Sequence, residues 1–174
     1  APVVVQATVL GAPPNPNAHI PPTGNRKALL VGCNYPGTRC ALRGCVNDVV
    51  KMRELLLSQG FPDARIVVLR DDKMGGQNLP TKDRIIRELR SLVAGAQRGD
   101  ALFFHYSGHG GQQRDTSGDE EDGYDETILP CDFKRAGQLT DDTLFELLVK
   151  PLPEGCNLTS VMDCCHSGTG LDLP

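Results

Sequence analysis

Short, unbroken apolar runs that alternate with segments of helical periodicity constrain this chain more than any other feature. Ala28 to Cys33, Ile66 to Leu69 and Asp100 to Tyr106 carry almost no polar alternation. Such runs fill strands covered on both faces, as in a parallel sheet. After the first run, Val49, Met52, Leu55 and Leu56 recur at helical spacing between about Val46 and Gln59, and Gly60 stops the pattern. After the second, Thr81 begins a helix whose Ile85, Ile86, Leu89, Leu92 and Val93 share one face. Thr127 to Pro130 forms a shorter apolar stretch, a further helix is expected from Asp141 to Val149, and a last strand from Leu158 to Met162. Strands joined by helices require crossovers, so the class is α/β, a mainly parallel sheet flanked by helices.

A length of 174 residues suffices for one domain with a sizeable core. Residues 26–174 are read as that domain. Residues 1–25 hold Pro13, Pro14, Pro16, Pro21 and Pro22 among small residues and read as an extended arm, whose opening Pro2-Val3-Val4-Val5 can lie against the domain as an added strand. Ser107 to Gly123 reads as one long polar connection. If Leu158 to Met162 lies at a sheet edge, its unpaired backbone groups need a cover, and a further segment of a longer chain or a second chain is expected there.

The net charge of −4 gives no general reason to expect nucleic acid or an anionic membrane as partner. No apolar run approaches the roughly 20 residues that span a bilayer, and a cytoplasmic location is the simplest expectation. The seven cysteines form no CxxC pair and are expected to be reduced thiols. Cys164-Cys165-His166 is too compact for one tetrahedral zinc site.

Chemistry concentrates where two strands are expected to end. One ends in Tyr106-Ser107-Gly108-His109-Gly110-Gly111, the last in Asp163-Cys164-Cys165. Neighbouring strands lie about 4.8 Å apart, so loops distant in sequence meet at such a rim. A thiol of pKa about 8.5 needs an imidazole to take its proton at pH 7, and His109 and Cys165 answer that need as base and nucleophile. The backbone amides of Gly110 and Cys165 are candidates for holding a developing oxyanion. Singly, a Gly-His-Gly turn is only a turn and a buried cysteine an inert hydrophobe. His105, inside the strand, and His166 read as structural.

These motifs, with Leu42-Arg43-Gly44-Cys45-Val46-Asn47-Asp48 and Asp119-Glu120-Glu121-Asp122-Gly123-Tyr124-Asp125, resemble the large, caspase-like region of the type I metacaspases. The resemblance implies a caspase-like (caspase-hemoglobinase) fold and a cysteine endopeptidase whose His/Cys dyad is His109 and Cys165. It also implies a small-subunit region beyond Pro174 that helps build the substrate groove. A non-catalytic binding or regulatory module of the same fold is the main rival, and a different thiol hydrolase or transferase the third reading.

The resemblance further sets Cys45, Asp48, Ser107 and Asp163 around the pocket for the residue before the scissile bond. Two carboxylates in a partly desolvated pocket favour a guanidinium or ammonium, so protein or peptide substrates cut after Arg or Lys are expected. On the bland reading, Asp48 only complements a helix N-terminus and Asp163 only ends a strand. The crowded carboxylates of Asp115, Asp119, Glu120, Glu121, Asp122, Asp125 and Glu126 need solvent or a hard cation. No EF-hand register fits them, because Gly118 falls where the first carboxylate must stand. The resemblance implies calcium bound through Asp125, Asp141, Asp142 and Asp172, although Asp141 and Asp142 after Thr140 also suit a helix N-terminus without metal.

Overall fold

The protein is described from a computed structural model covering residues 3–8, 23–114 and 124–164, with 3–8 as backbone only. In chain order the elements are β1 (Val3–Thr8), β2 (Arg26–Gly32), α1 (Cys45–Ser58), β3 (Ile66–Arg70), α2 (Lys82–Val93), β4 (Ala101–Ser107), β5 (Gly110–Arg114), β6 (Tyr124–Ile128), α3 (Phe133–Ala136), β7 (Leu139–Thr140), α4 (Asp141–Leu148) and β8 (Asn157–Asp163). Five strands form the main sheet in the order β1-β8-β4-β2-β3. Its four domain strands run parallel, and β1 joins β8 antiparallel.

Burial on both faces explains the continuous apolar runs. On one face Leu29, Val31, Leu102, Phe104, Tyr106, Leu158 and Met162 pack against Ile85, Leu89 and Leu92 of α2 and Leu144 and Leu148 of α4. On the other, Ala28 and Leu30 pack under Val49 and Leu56 of α1, joined by Phe103 and Val68. Each such Val, Leu, Ile, Phe or Met side chain withdrawn from water contributes about 1.5–3 kcal/mol before conformational entropy is charged. Gly32 lets α1 come this close: a Cβ there would lie 2.8 Å from Val49 Cγ2 and 2.9 Å from the Cys45 carbonyl oxygen. Threonine caps start the two helices on the opposite face. Thr81 Oγ1 accepts the Arg84 N–H at 3.3 Å, and Thr140 Oγ1 accepts the Thr143 N–H at 3.2 Å.

Two expectations need correction. The final strand is not an edge: β8 pairs with β4 on one side and along its whole length with β1 on the other, from Val3 opposite Met162 to Thr8 opposite Asn157. The arm supplies the cover, so a bare edge gives no reason to expect another segment there. Nor is Ser107 to Gly123 a single connection, because Gly110–Arg114 is β5, paired antiparallel with β6. With β7 these strands make a second, three-stranded sheet. Its Gly-Gly-Gln-Gln-Arg sequence has no apolar alternation, and Gln112, Gln113 and Arg114 are exposed, so no hydrophobic pattern announced it. Among the described residues no helix is long and apolar enough to cross a membrane.

Candidate active site

The register of β4 on β8 builds the rim. Ser107 stands opposite Asp163 as the last paired residues of the two strands. His109 follows Ser107 by two residues, and Cys165 follows Asp163 by two; Cys165 itself lies outside the described residues.

His109 is half-buried and held on several sides. Its Nε2 lies 2.8 Å from the main-chain carbonyl oxygen of Cys40, so in the neutral ring Nε2 carries the proton and Nδ1 the lone pair. Its ring stacks at 5.0 Å and 30° on Tyr35. Its main-chain N–H donates to Tyr35 Oη at 3.0 Å, and its carbonyl accepts from Tyr106 Oη at 2.8 Å. The Cys40 carbonyl and Tyr35 escaped the reading of the sequence for a reason: a main-chain acceptor leaves no residue-type signature, and Tyr35 acts through a backbone conformation that no pattern announces.

The His109 carbonyl also accepts the Leu129 N–H at 3.1 Å, which makes Gly110 and Ile128 a non-hydrogen-bonded pair of the β5–β6 ladder. The Gly110 N–H therefore points off the outer edge of β5, away from β6.

Cys45, Asp48, Ser107 and Asp163 do come together, on the face of the sheet that carries α1. Ser107 Oγ donates to Asp48 Oδ2 at 3.2 Å. Asp48 and Asp163 line a cleft of about 260 Å³ with Lys51, Met52, Leu55, His105 and Val161. Asp48 does sit in the first turn of α1 and Asp163 does end β8; both also face the cleft. His105 is 2% exposed, and its buried Nδ1 has no hydrogen-bond partner among the described residues. Burial pushes its imidazole below the usual histidine range, with Asp163 and Asp48 pulling the other way.

Five other thiols are at least partly withdrawn from solvent. Cys33, Cys45 and Cys156 are buried, Cys40 and Cys131 half-buried, and among the described residues all five are unbridged. Desolvation raises the Cys33 and Cys45 thiols, and pushes Cys131 and Cys156 up to about 11.

The acidic positions are divided. Asp125 on β6 and Asp141 at the start of α4 are 4% and 3% exposed, and Asp142 is half-buried. Pairing of Thr127 with Thr140 brings these parts of β6 and α4 to one corner. Buried carboxylates there offer the hard oxygen donors that calcium takes. Among the described residues no three acidic, His or Cys side chains form a metal-binding group; Asp172 and residues 115–123 lie outside them.

A family model for the metacaspase peptidase C14 domain matches residues 26–174. The chain is 54% identical over 151 residues to Metacaspase-1 of Mycosarcoma maydis, covering 87% of this chain and 38% of that protein. With Metacaspase-1 of Yarrowia lipolytica it shares 53% over 153 residues, covering 87% and 33%. With that of Schizosaccharomyces pombe it shares 52% over 152 residues, covering 87% and 36%. The solved structure of protein GSU0716 from Geobacter sulfurreducens superposes with a TM-score of 0.64 at 31% identity, covering 84% of this chain and 52% of that one. The chain thus spans between a third and two fifths of the length of these curated relatives. Matched by the family model over everything after the arm, and built on the caspase-like sheet, this chain belongs to the metacaspase family.

Proposed function

We propose that this chain is the catalytic region of a cysteine endopeptidase that cuts after Arg or Lys through His109 and Cys165. The carrying observation is the opposition of Ser107 and Asp163, which ends two adjacent parallel strands at one rim, two positions before His109 in the one sequence segment and two before Cys165 in the other. With Nε2 committed to the Cys40 carbonyl, His109 Nδ1 takes the Cys165 proton. The thiolate attacks the scissile carbonyl, and the resulting oxyanion is held by the outward Gly110 N–H and the Cys165 N–H. His109 then returns the proton to the leaving amine as the C–N bond breaks, leaving an acyl-enzyme. Water, deprotonated by His109, attacks that thioester and frees the acid and the thiol.

The cleft under α1 receives the side chain before the cut. Asp48 and Asp163 supply the charge for a guanidinium or ammonium, and Ser107 orients Asp48. Calcium, held by Asp125, Asp141, Asp142 and Asp172, would order this pocket without joining the chemistry. A small-subunit region, as the family resemblance implies, completes the groove, and the cytoplasm is the proposed location.

The test is mass spectrometry of peptides cut by an enzyme containing this chain and its C-terminal region, with calcium and with excess chelator. Cuts after Arg and Lys that need calcium and vanish in Cys165→Ala are expected. Cuts after Asp refute the pocket, and full activity in chelator refutes the calcium switch.

A further inference from the structure

We propose that Tyr35 is a positioning residue for His109, fixing the imidazole through its ring face and its hydroxyl; this rests on the dyad reading above. Among the described residues Tyr35 is the only one other than glycine with a left-handed backbone, at φ 49°. A large side chain adopts that conformation only where its surroundings impose it. Here they do. Asp71, itself buried, accepts the Tyr35 N–H through Oδ2 at 2.7 Å and the Asn34 N–H through Oδ1 at 2.8 Å. The Tyr35 carbonyl accepts from the Thr38 N–H at 3.2 Å and from Thr38 Oγ1 at 2.7 Å.

The strained turn sends the Tyr35 ring inward, where it is 2% exposed, under the His109 ring and edge-on to Phe133. A buried tyrosine needs one partner for its hydroxyl. This one accepts the His109 N–H, donates to the Leu129 carbonyl at 2.7 Å and lies 3.0 Å from Tyr106 Oη. Tyr106 completes the grip by donating to the His109 carbonyl, while its Oη accepts the Leu129 N–H at 3.1 Å. Desolvation raises both phenols, so they stay neutral donors.

Gly108 shows how tightly this is built. A Cβ there would stand 2.5 Å from Tyr106 Oη and 2.9 Å from Tyr35 Oη. Glycine precedes the histidine because two phenol hydroxyls occupy the space a side chain would take. The main chain of His109 is thus tied on both sides of its Cα, its ring is backed by an aromatic face, and its Nε2 is tied to Cys40. The one ring atom left to work is Nδ1.

Tyr35→Phe keeps the ring and deletes the hydroxyl. In the enzyme with its C-terminal region, kcat for an Arg substrate is expected to fall roughly 10- to 100-fold, with KM within about twofold, because misplacing a catalytic group by part of an ångström taxes the chemical step and spares binding. The rate of Cys165 alkylation by iodoacetamide, followed against pH, is expected to shift with it, which a merely structural loss would not produce. Tyr106→Phe, which loses the hydrogen bond to the His109 carbonyl, is expected to show the same kcat-selective loss if Tyr35→Phe does not fold. Unchanged kcat and an unchanged alkylation profile in either folded variant overturn the proposal. Activity surviving in His109→Ala defeats the dyad reading itself. An inactive His109→Ala beside a fully active Tyr35→Phe defeats only the positioning role.

Discussion

The main-chain carbonyl oxygen of Cys40 lies 2.8 Å from His109 Nε2. The imidazole is thereby oriented by backbone from a loop some seventy positions earlier, and the side chain of Cys40 takes no part. Replacing Cys40 by Ala is expected to leave kcat/KM within about threefold of the parent, while Cys165→Ala abolishes turnover. Steady-state kinetics on both variants decides it. Loss of activity in Cys40→Ala, with folding intact by circular dichroism, would mean that this thiol and not its carbonyl serves the site.

Asp163 brings a carboxylate to the cleft without a helix dipole to serve, whereas Asp48 also sits in the first turn of α1. A charge pair at about 4 Å and an effective dielectric near 20 is worth about 4 kcal/mol before desolvation. Allowing for that cost, Asp163→Asn is expected to reduce kcat/KM for Arg substrates on the order of 100-fold. Hydrolysis of uncharged analogues should change far less. Equal losses for both substrates would show that Asp163 shapes the rim without reading charge.

His105 makes stability depend on pH. Burial lowers its folded-state pKa below the ordinary value of about 6.5. The unfolded chain therefore binds a proton at a higher pH than the native one does, and stability falls as pH drops from about 6.5 toward the depressed native value. The groups facing it are Asp48 and Lys51 from α1 and Asp163 from β8; the two carboxylates shrink the effect without reversing its sign. Denaturant midpoints between pH 7 and 5 should decline in the parent and decline less in His105→Gln. Identical slopes would remove His105 as the cause.

Gly32 is where α1 touches the sheet. A methyl group there meets the Cys45 carbonyl, which belongs to the helix backbone and cannot swing aside as a side chain does. Gly32→Ala is expected to cost about 1–3 kcal/mol, read as a lower denaturant midpoint at unchanged slope. An unaltered midpoint would mean that α1 shifts freely over β2, and that the cleft it walls is loosely formed.

The parallel core was legible because burial on two faces writes itself as unbroken apolar runs: Ala28 to Val31 in β2, Leu102 to Tyr106 in β4. The three longer helices, α1, α2 and α4, declared themselves equally plainly, whereas the one-turn α3 is too short to show a period. Thr81 and Thr140 were readable as caps because a hydroxyl before a periodic segment has one common use. β5 and the second sheet were not legible, since Gly-Gly-Gln-Gln-Arg has no face to bury and pairs through backbone alone.

Composition and periodicity by themselves determined the class of fold, the strand ends on which Ser107 and Asp163 lie, and the chemical types gathered there, because those follow from what each side chain does with water. Only the tertiary structure decided that β8 is flanked by the arm rather than left at an edge, that the Cys40 carbonyl and Tyr35 hold His109, and that His105 stands beneath two carboxylates. Those arrangements rest on main-chain hydrogen bonds and one left-handed turn. A backbone carbonyl is the same in every residue, so its role appears only when folding brings it to its partner.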